Sequence, residues 1–77
     1  MVKPTRVTNS IRALRFARGE MTQAELADLI GVTRQTVIAI EQGRYSPSLE
    51  MAFQIAHVFK VPIDEVFHYP GSAVEAR

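Results

Sequence analysis

The sequence predicts an all-α fold: five short helices packed as one compact bundle. Three observations predict it. Apolar residues recur at i, i+3, i+4 along most of the chain, and no stretch alternates long enough to read as a strand. Ser, Thr or Asn opens the apolar stripes, and Gly closes most of them. With 77 residues, 47% hydrophobic and 22% charged, the chain holds one small core and no second domain.

Residues 1 to 8 show no periodicity and contain Pro4, which predicts a flexible N-terminal arm. Thr8 or Asn9 then caps a helix with Ile11, Leu14 and Arg15 on one side, ended by Gly19. Thr22-Gln23-Ala24-Glu25 has the form of a capping box and opens a second helix with Leu26, Ala27 and Ile30 inward. Gly31 breaks it. Thr33 caps a third helix, with Val37 and Ile40 inward, and Gly43 stops it. Ser48 caps a fourth, on which Ala52, Ile55, Ala56 and Phe59 share a face. Lys60-Val61-Pro62 leads to a short fifth helix with the stripe Ile63, Val66 and Phe67. The domain is expected over 9–69, and 70–77 reads as a C-terminal tail.

Composition narrows the chemistry. There is no cysteine, so a disulfide scaffold and thiolate metal sites are excluded. The longest aliphatic run is Val37-Ile38-Ala39-Ile40, far short of the roughly 20 residues a membrane span needs. No apolar stretch follows Lys3 and Arg6, so a secretory signal is unsupported and the expected compartment is the cytoplasm. His57 and His68 match no metal spacing, and nothing places Ser, His and Asp in a triad, so no cofactor, no metal and no enzymatic activity are expected. The net charge of +1 hides an asymmetry: residues 1–44 hold seven basic and four acidic residues, residues 45–77 two basic and four acidic.

Gln23 to Gln42 is the informative stretch. Two short helices meet at Gly31, whose missing side chain permits a left-handed turn, and Ala27 is small where the helices approach. Leu26, Ile30, Val32, Val37 and Ile40 are apolar where the pair faces the bundle. These are the features of a helix-turn-helix. On the second of its helices, Val37, Ile40, Thr36 and Thr33 cover the inner side. Arg34, Gln35, Ile38, Ala39 and Gln42 fall on an opposite arc that carries no acid. Arg can bind guanine O6 and N7 in a bidentate manner, Gln can do the same to adenine, and apolar Ile38 and Ala39 suit a thymine methyl. The first residues of such a helix reach base edges, which singles out Arg34 and Gln35. Ile38 has a second reading, in which it leans into the bundle. Thr22, Gln23 and Thr33 stand at helix N-termini, where free N–H groups favour an anion. With Gln42, Arg44 and Tyr45 beyond the third helix they are the expected phosphate contacts. Arg6 and Lys3 read as part of a disordered terminus, or else as an arm reaching DNA.

Over residues 9–69 the chain resembles the Xre/Cro family of prokaryotic and phage helix-turn-helix regulators, with its lambda-repressor-like DNA-binding domain. The resemblance is carried by Ile11-Arg12-Ala13-Leu14-Arg15, Thr22-Gln23-Ala24-Glu25-Leu26-Ala27, Gly31-Val32-Thr33-Arg34-Gln35-Thr36, Ile40-Glu41-Gln42-Gly43-Arg44, Pro47-Ser48-Leu49, Ile55-Ala56 and Asp64-Glu65-Val66-Phe67. It implies an ion pair between Arg15 and Glu41, phosphate contact at Thr22-Gln23 and base contact at the start of the third helix. The link from Arg15 to Gln23 is one residue longer than the commonest pattern of the family, because Glu20 precedes Met21.

The C-terminal third is rich in apolar bulk. Ile55, Ala56 and Phe59 fill the inner face of helix four, which leaves Phe53 and Val58 pointing elsewhere. A helix-turn-helix monomer reads only a half-site, so a homodimer through Phe53, Val58, Ile63, Phe67 and Tyr69 is expected. The expected function is that of a dimeric regulator of transcription, a repressor on a palindromic double-stranded DNA operator, with no membrane association and no evident small-molecule ligand. An antitoxin or a restriction–modification controller of the same fold is one alternative. A protein–protein adaptor that binds no DNA is the other, and the near-neutral total charge is its best support.

Overall fold

The computed structural model describes residues 5–70; the sequence expectations for Lys3 and for residues 71–77 lie outside them. Strand β1 (Thr8–Asn9) is followed by α1 (Ile11–Ala17), α2 (Gln23–Ile30), α3 (Arg34–Glu41), α4 (Leu49–Phe59), a 3-10 turn (Ile63–Glu65) and β2 (Phe67–His68).

Helices α2, α3 and α4 start where hydroxyl side chains satisfy their free amides. Thr22 accepts from the Glu25 N–H while the Glu25 carboxylate accepts from the Thr22 N–H, a complete capping box. Thr33 accepts from the N–H of Thr36, and Ser48 from that of Met51. They end with left-handed residues. Gly31 (φ +77°) reverses the chain between α2 and α3, with the Val32 N–H on the Ala27 carbonyl at 3.0 Å. A Cβ there would meet nothing within 4 Å, so the backbone angle alone is what calls for glycine.

Ile11, Leu26, Val37, Ile40, Ile55 and Val66 are fully buried, with Ala27, Ile30, Ala56 and Phe59 around them. Each large side chain taken out of water in this way contributes about 1.5–3 kcal/mol. The stripes read from the sequence thus meet in one core, and they hold α2 against both α3 and α4.

Three expectations are corrected. Among the described residues there are four α-helices, not five: the fifth segment is a single 3-10 turn, Ile63–Glu65. Its stripe of Ile63, Val66 and Phe67 has helical spacing, but Phe67 and His68 are drawn into a strand before a second turn can form. That strand pairs antiparallel with β1 in the register Thr8↔His68 and Asn9↔Phe67. Two-residue strands are too short to show as alternation, which is why none was legible. The cap of α1 is Ser10, without a side-chain bond. Asn9 stands one place earlier and accepts from the Ile11 N–H at 3.1 Å.

Candidate nucleic-acid interface

Arg34 is the first residue of α3 and Gln35 the second; both are exposed, as is Gln42 at its C-terminal cap. Ala39 and Ile38 are half-buried, so Ile38 divides its surface between the bundle and solvent. The arc made by these five residues carries no carboxylate.

Beside it stands the start of α2. Thr22 is exposed and uses its oxygen as a cap acceptor, which leaves the hydroxyl hydrogen available to a ligand. Among the described residues the N–H groups of Gln23 and Ala24 have no acceptor, as expected for a first helical turn. At α3 the Thr33 and Thr36 hydroxyls lie 3.1 Å apart. Beyond α3, Arg44 is exposed, its N–H on the Ala39 carbonyl at 3.0 Å, while half-buried Tyr45 packs against the core.

A buried polar knot locks α1, α2 and α3 together. Arg15 Nε lies 2.6 Å from Glu41 Oε2, and both side chains are over nine-tenths buried. Arg15 Nη2 donates to Glu41 Oε1 at 3.2 Å, and Gln23 Nε2 donates to the same oxygen at 3.2 Å. Arg15 Nη1 donates to the Met21 carbonyl at 2.7 Å. The long α1–α2 link closes onto this knot. Gly19 (φ +74°) and Glu20 (φ +59°) are consecutive left-handed residues, and the Met21 N–H returns to the Arg15 carbonyl at 2.9 Å. The additional residue is taken up in that reversal, and the guanidinium still reaches α3.

Two functional placements are absent from the sequence reading. Gln23 gives its amide to Glu41, which nothing in a spacing of 18 residues announces. Asn9 Nδ2 donates to the Ile40 carbonyl at 3.0 Å and lies 3.5 Å from that of Glu41, so a residue outside the motif satisfies the open end of α3. An open groove of about 450 Å³ runs where α1 meets α2 and α3, lined by Arg12, Phe16, Thr22, Gln23 and Arg34.

The expected dimer residues do not all gather. Phe53 (52% exposed) stands one turn from Leu49 (70% exposed), which the sequence reading left out. Ile63 and Phe67 line an adjoining groove of about 310 Å³ with Leu49, Val7 and Pro47. Tyr69 is exposed, with the Arg6 guanidinium 5.6 Å from its ring centre. Val58 is half-buried about two and a half turns beyond Leu49, hence on the opposite side of α4, where its carbonyl accepts from Arg18 at 2.9 Å. Arg6 and Thr8, expected in a free arm, are both engaged.

His57 and His68 are exposed, and His68 Nε2 lies 3.1 Å from Ser10 Oγ. No group of three or more His, Cys, Asp or Glu among the described residues could hold a metal ion. No helix among them is long and apolar enough to cross a membrane.

Comparison with known proteins agrees with this geometry. A family model described as helix-turn-helix matches residues 11–66. An uncharacterised HTH-type transcriptional regulator of Methanocaldococcus jannaschii is 55% identical over 49 residues, 64% of this chain and 74% of that one. One of Bacillus subtilis is 46% identical over 59 residues, 77% of this chain and 88% of that one. The transcriptional repressor RstR of the cryptic phage CTXphi, from Vibrio cholerae, is 41% identical over 59 residues, 77% of this chain and 52% of its own. A crystal structure of a protein from Bacteroides fragilis superposes with a TM-score of 0.70 at 22% identity, covering 80% of this chain and 98% of that one, a likeness of fold. The chain belongs to the helix-turn-helix family of Xre/Cro type, whose named members among its relatives are transcriptional regulators.

Proposed function

We propose that this protein represses transcription in the cytoplasm by occupying a palindromic operator as a two-fold dimer, with α3 in the major groove. The observation that carries the reading is the acid-free arc of α3, which presents Arg34 and Gln35 at its N-terminus beside the open amides of α2. Arg34 and Gln35 read base edges, and Ile38 and Ala39 touch apolar base surface. Thr22, Gln23 and Thr33 take phosphates at the helix starts, and Gln42, Arg44 and Tyr45 take those at the far side. The Arg15–Glu41 pair is structural: it neutralises the carboxylate that would otherwise repel the backbone. Phe53, Ile63, Phe67 and Tyr69, joined by Leu49, form the dimer face, and Val58, on the opposite side of α4, stands outside it. The repressor role is supported by the likeness to a phage repressor.

In vitro selection from a random double-stranded library tests the reading. The expected product is an inverted repeat with half-sites about one helical turn apart. Recovery of no enriched sequence, with the folded protein failing to shift any duplex, overturns it in favour of an adaptor.

A further inference from the structure

We infer that Arg12, held by Phe16, is a DNA-backbone contact on α1, outside the two helices of the motif. The inference rests on the DNA-binding reading of α3. Three neighbouring arginines, two on α1 and one at its C-terminal cap, differ in what they do. Arg15 is committed to Glu41, and Arg18 donates to the Val58 carbonyl at 2.9 Å. Arg12 is exposed and has no hydrogen bond or ion pair among the described residues.

Its position is nonetheless defined. The Arg12 guanidinium carbon lies 5.4 Å from the centre of the Phe16 ring, one helical turn on. The other arginine at that ring is Arg15, at 5.6 Å, itself anchored in the buried knot. Phe16 is 53% exposed and belongs to no part of the core. This half-solvated ring, 5.4 and 5.6 Å from two guanidinium carbons, stands outside the core. It does restrict where Arg12 can point, which lowers the entropy lost when a long side chain meets a ligand.

Arg12 and Phe16 line the same groove as Thr22, Gln23 and Arg34. Arg34 opens the helix that faces the bases, so a strand read by α3 brings its phosphates along this groove. The Arg15–Glu41 pair cancels there, and Arg12 and Arg34 outweigh Glu20, the remaining carboxylate of the lining. A phosphodiester fits this excess of fixed cation, with Arg12 donating to one phosphate from the scaffold side.

The test is fluorescence anisotropy with the selected operator duplex and an unrelated duplex, over a salt series. Arg12→Ala is expected to weaken both duplexes by the same factor, about three- to tenfold at moderate salt. It should reduce the slope of log K against log salt by about 0.9 in a monomer's half-site count. Arg12→Lys retains the slope. Phe16→Leu retains the slope and loses part of the affinity, the signature of a positioning residue. Circular dichroism confirms that each variant is folded. An Arg12→Ala protein with wild-type affinity and slope overturns the inference, as does one weakened on the operator alone. If the wild-type chain binds no duplex, the function falls with it. If Arg34→Ala loses sequence preference while Arg12→Ala changes nothing, the inference alone fails.

Discussion

The resemblance pairs Arg15 with Glu41, and the structure shows what makes such a pair tolerable inside a small domain. Two buried charges are costly to desolvate unless each polar atom finds a partner. Here Nε and Nη2 reach the carboxylate, Nη1 reaches the Met21 carbonyl, and Gln23 adds a donor to Glu41. No buried side-chain polar atom among the described residues is left without a partner. Glu41→Ala should therefore destabilise the fold by about 3–5 kcal/mol, because it strands a buried guanidinium. A thermal melt followed by circular dichroism would show it, and a midpoint within a degree of wild type would contradict it. Asn9→Ala removes the donor at the end of α3 and should cost about 1–2 kcal/mol in urea unfolding, without altering the secondary structure of the folded state. Arg34→Ala, by contrast, removes an exposed group. It should leave stability unchanged, weaken specific DNA by about 1–3 kcal/mol and relax one base pair of the operator. Arg44→Ala should weaken all duplexes alike and lower the salt slope.

At the scale of elements, the sequence was most legible where one residue type does one local job. Thr22, Thr33 and Ser48 cap as their hydroxyls predict, and Gly19, Gly31 and Gly43 all lie at φ near +75° past helix ends. The end of α4 breaks this pattern. Lys60 holds the left-handed position at φ +59°, with its N–H on the His57 carbonyl and the Val61 N–H on that of Ala56. The arrangement matches the Gly31 end of α2, with a Cβ where glycine is preferred. Lys60→Gly should raise stability by roughly 0.5–1 kcal/mol, a rise of a few degrees in the midpoint. A lower midpoint would mean that the lysine stem contributes packing that outweighs the backbone strain. The segment after Pro62 was the least legible. Its fate depends on Thr8 and Asn9, some 60 residues away, and no local pattern encodes a partner at that distance. The candidate site divides the same way. The arc of α3 follows from helical periodicity alone, whereas the amide of Gln23 and the cap from Asn9 depend on how the helices pack.

Across the whole molecule, the charge asymmetry becomes spatial. Arg12 and Arg34 share one groove beside the free amides of α2, while exposed Leu49 and Phe53 of α4 adjoin the apolar groove lined by Ile63 and Phe67. Leu49 and Phe53 leave apolar surface in water, which the proposed dimer would cover. A double variant, Leu49→Lys with Phe53→Glu, should give a folded monomer in analytical ultracentrifugation. Its operator affinity should fall by far more than its affinity for an isolated half-site. A wild-type chain that sediments as a monomer, or a variant that still sediments as a dimer, would overturn the proposed dimer face.

The pairing of β1 with β2 also bears on how the chain folds. It joins Thr8 to His68 across a loop that takes in all four helices, and the Ser10 N–H reaches the Val66 carbonyl at 2.8 Å within it. Closing so long a loop brings no early reward, since the entropy must be lost before the bonds form. Helices α2, α3 and α4 meet through much shorter loops and can assemble first. Disrupting the strand pair, as in Thr8→Pro, should thus speed unfolding and leave the refolding rate almost untouched, a pattern that stopped-flow chevrons resolve. On that outcome the pair is a late latch, setting how long the native state lasts and not how quickly it is reached.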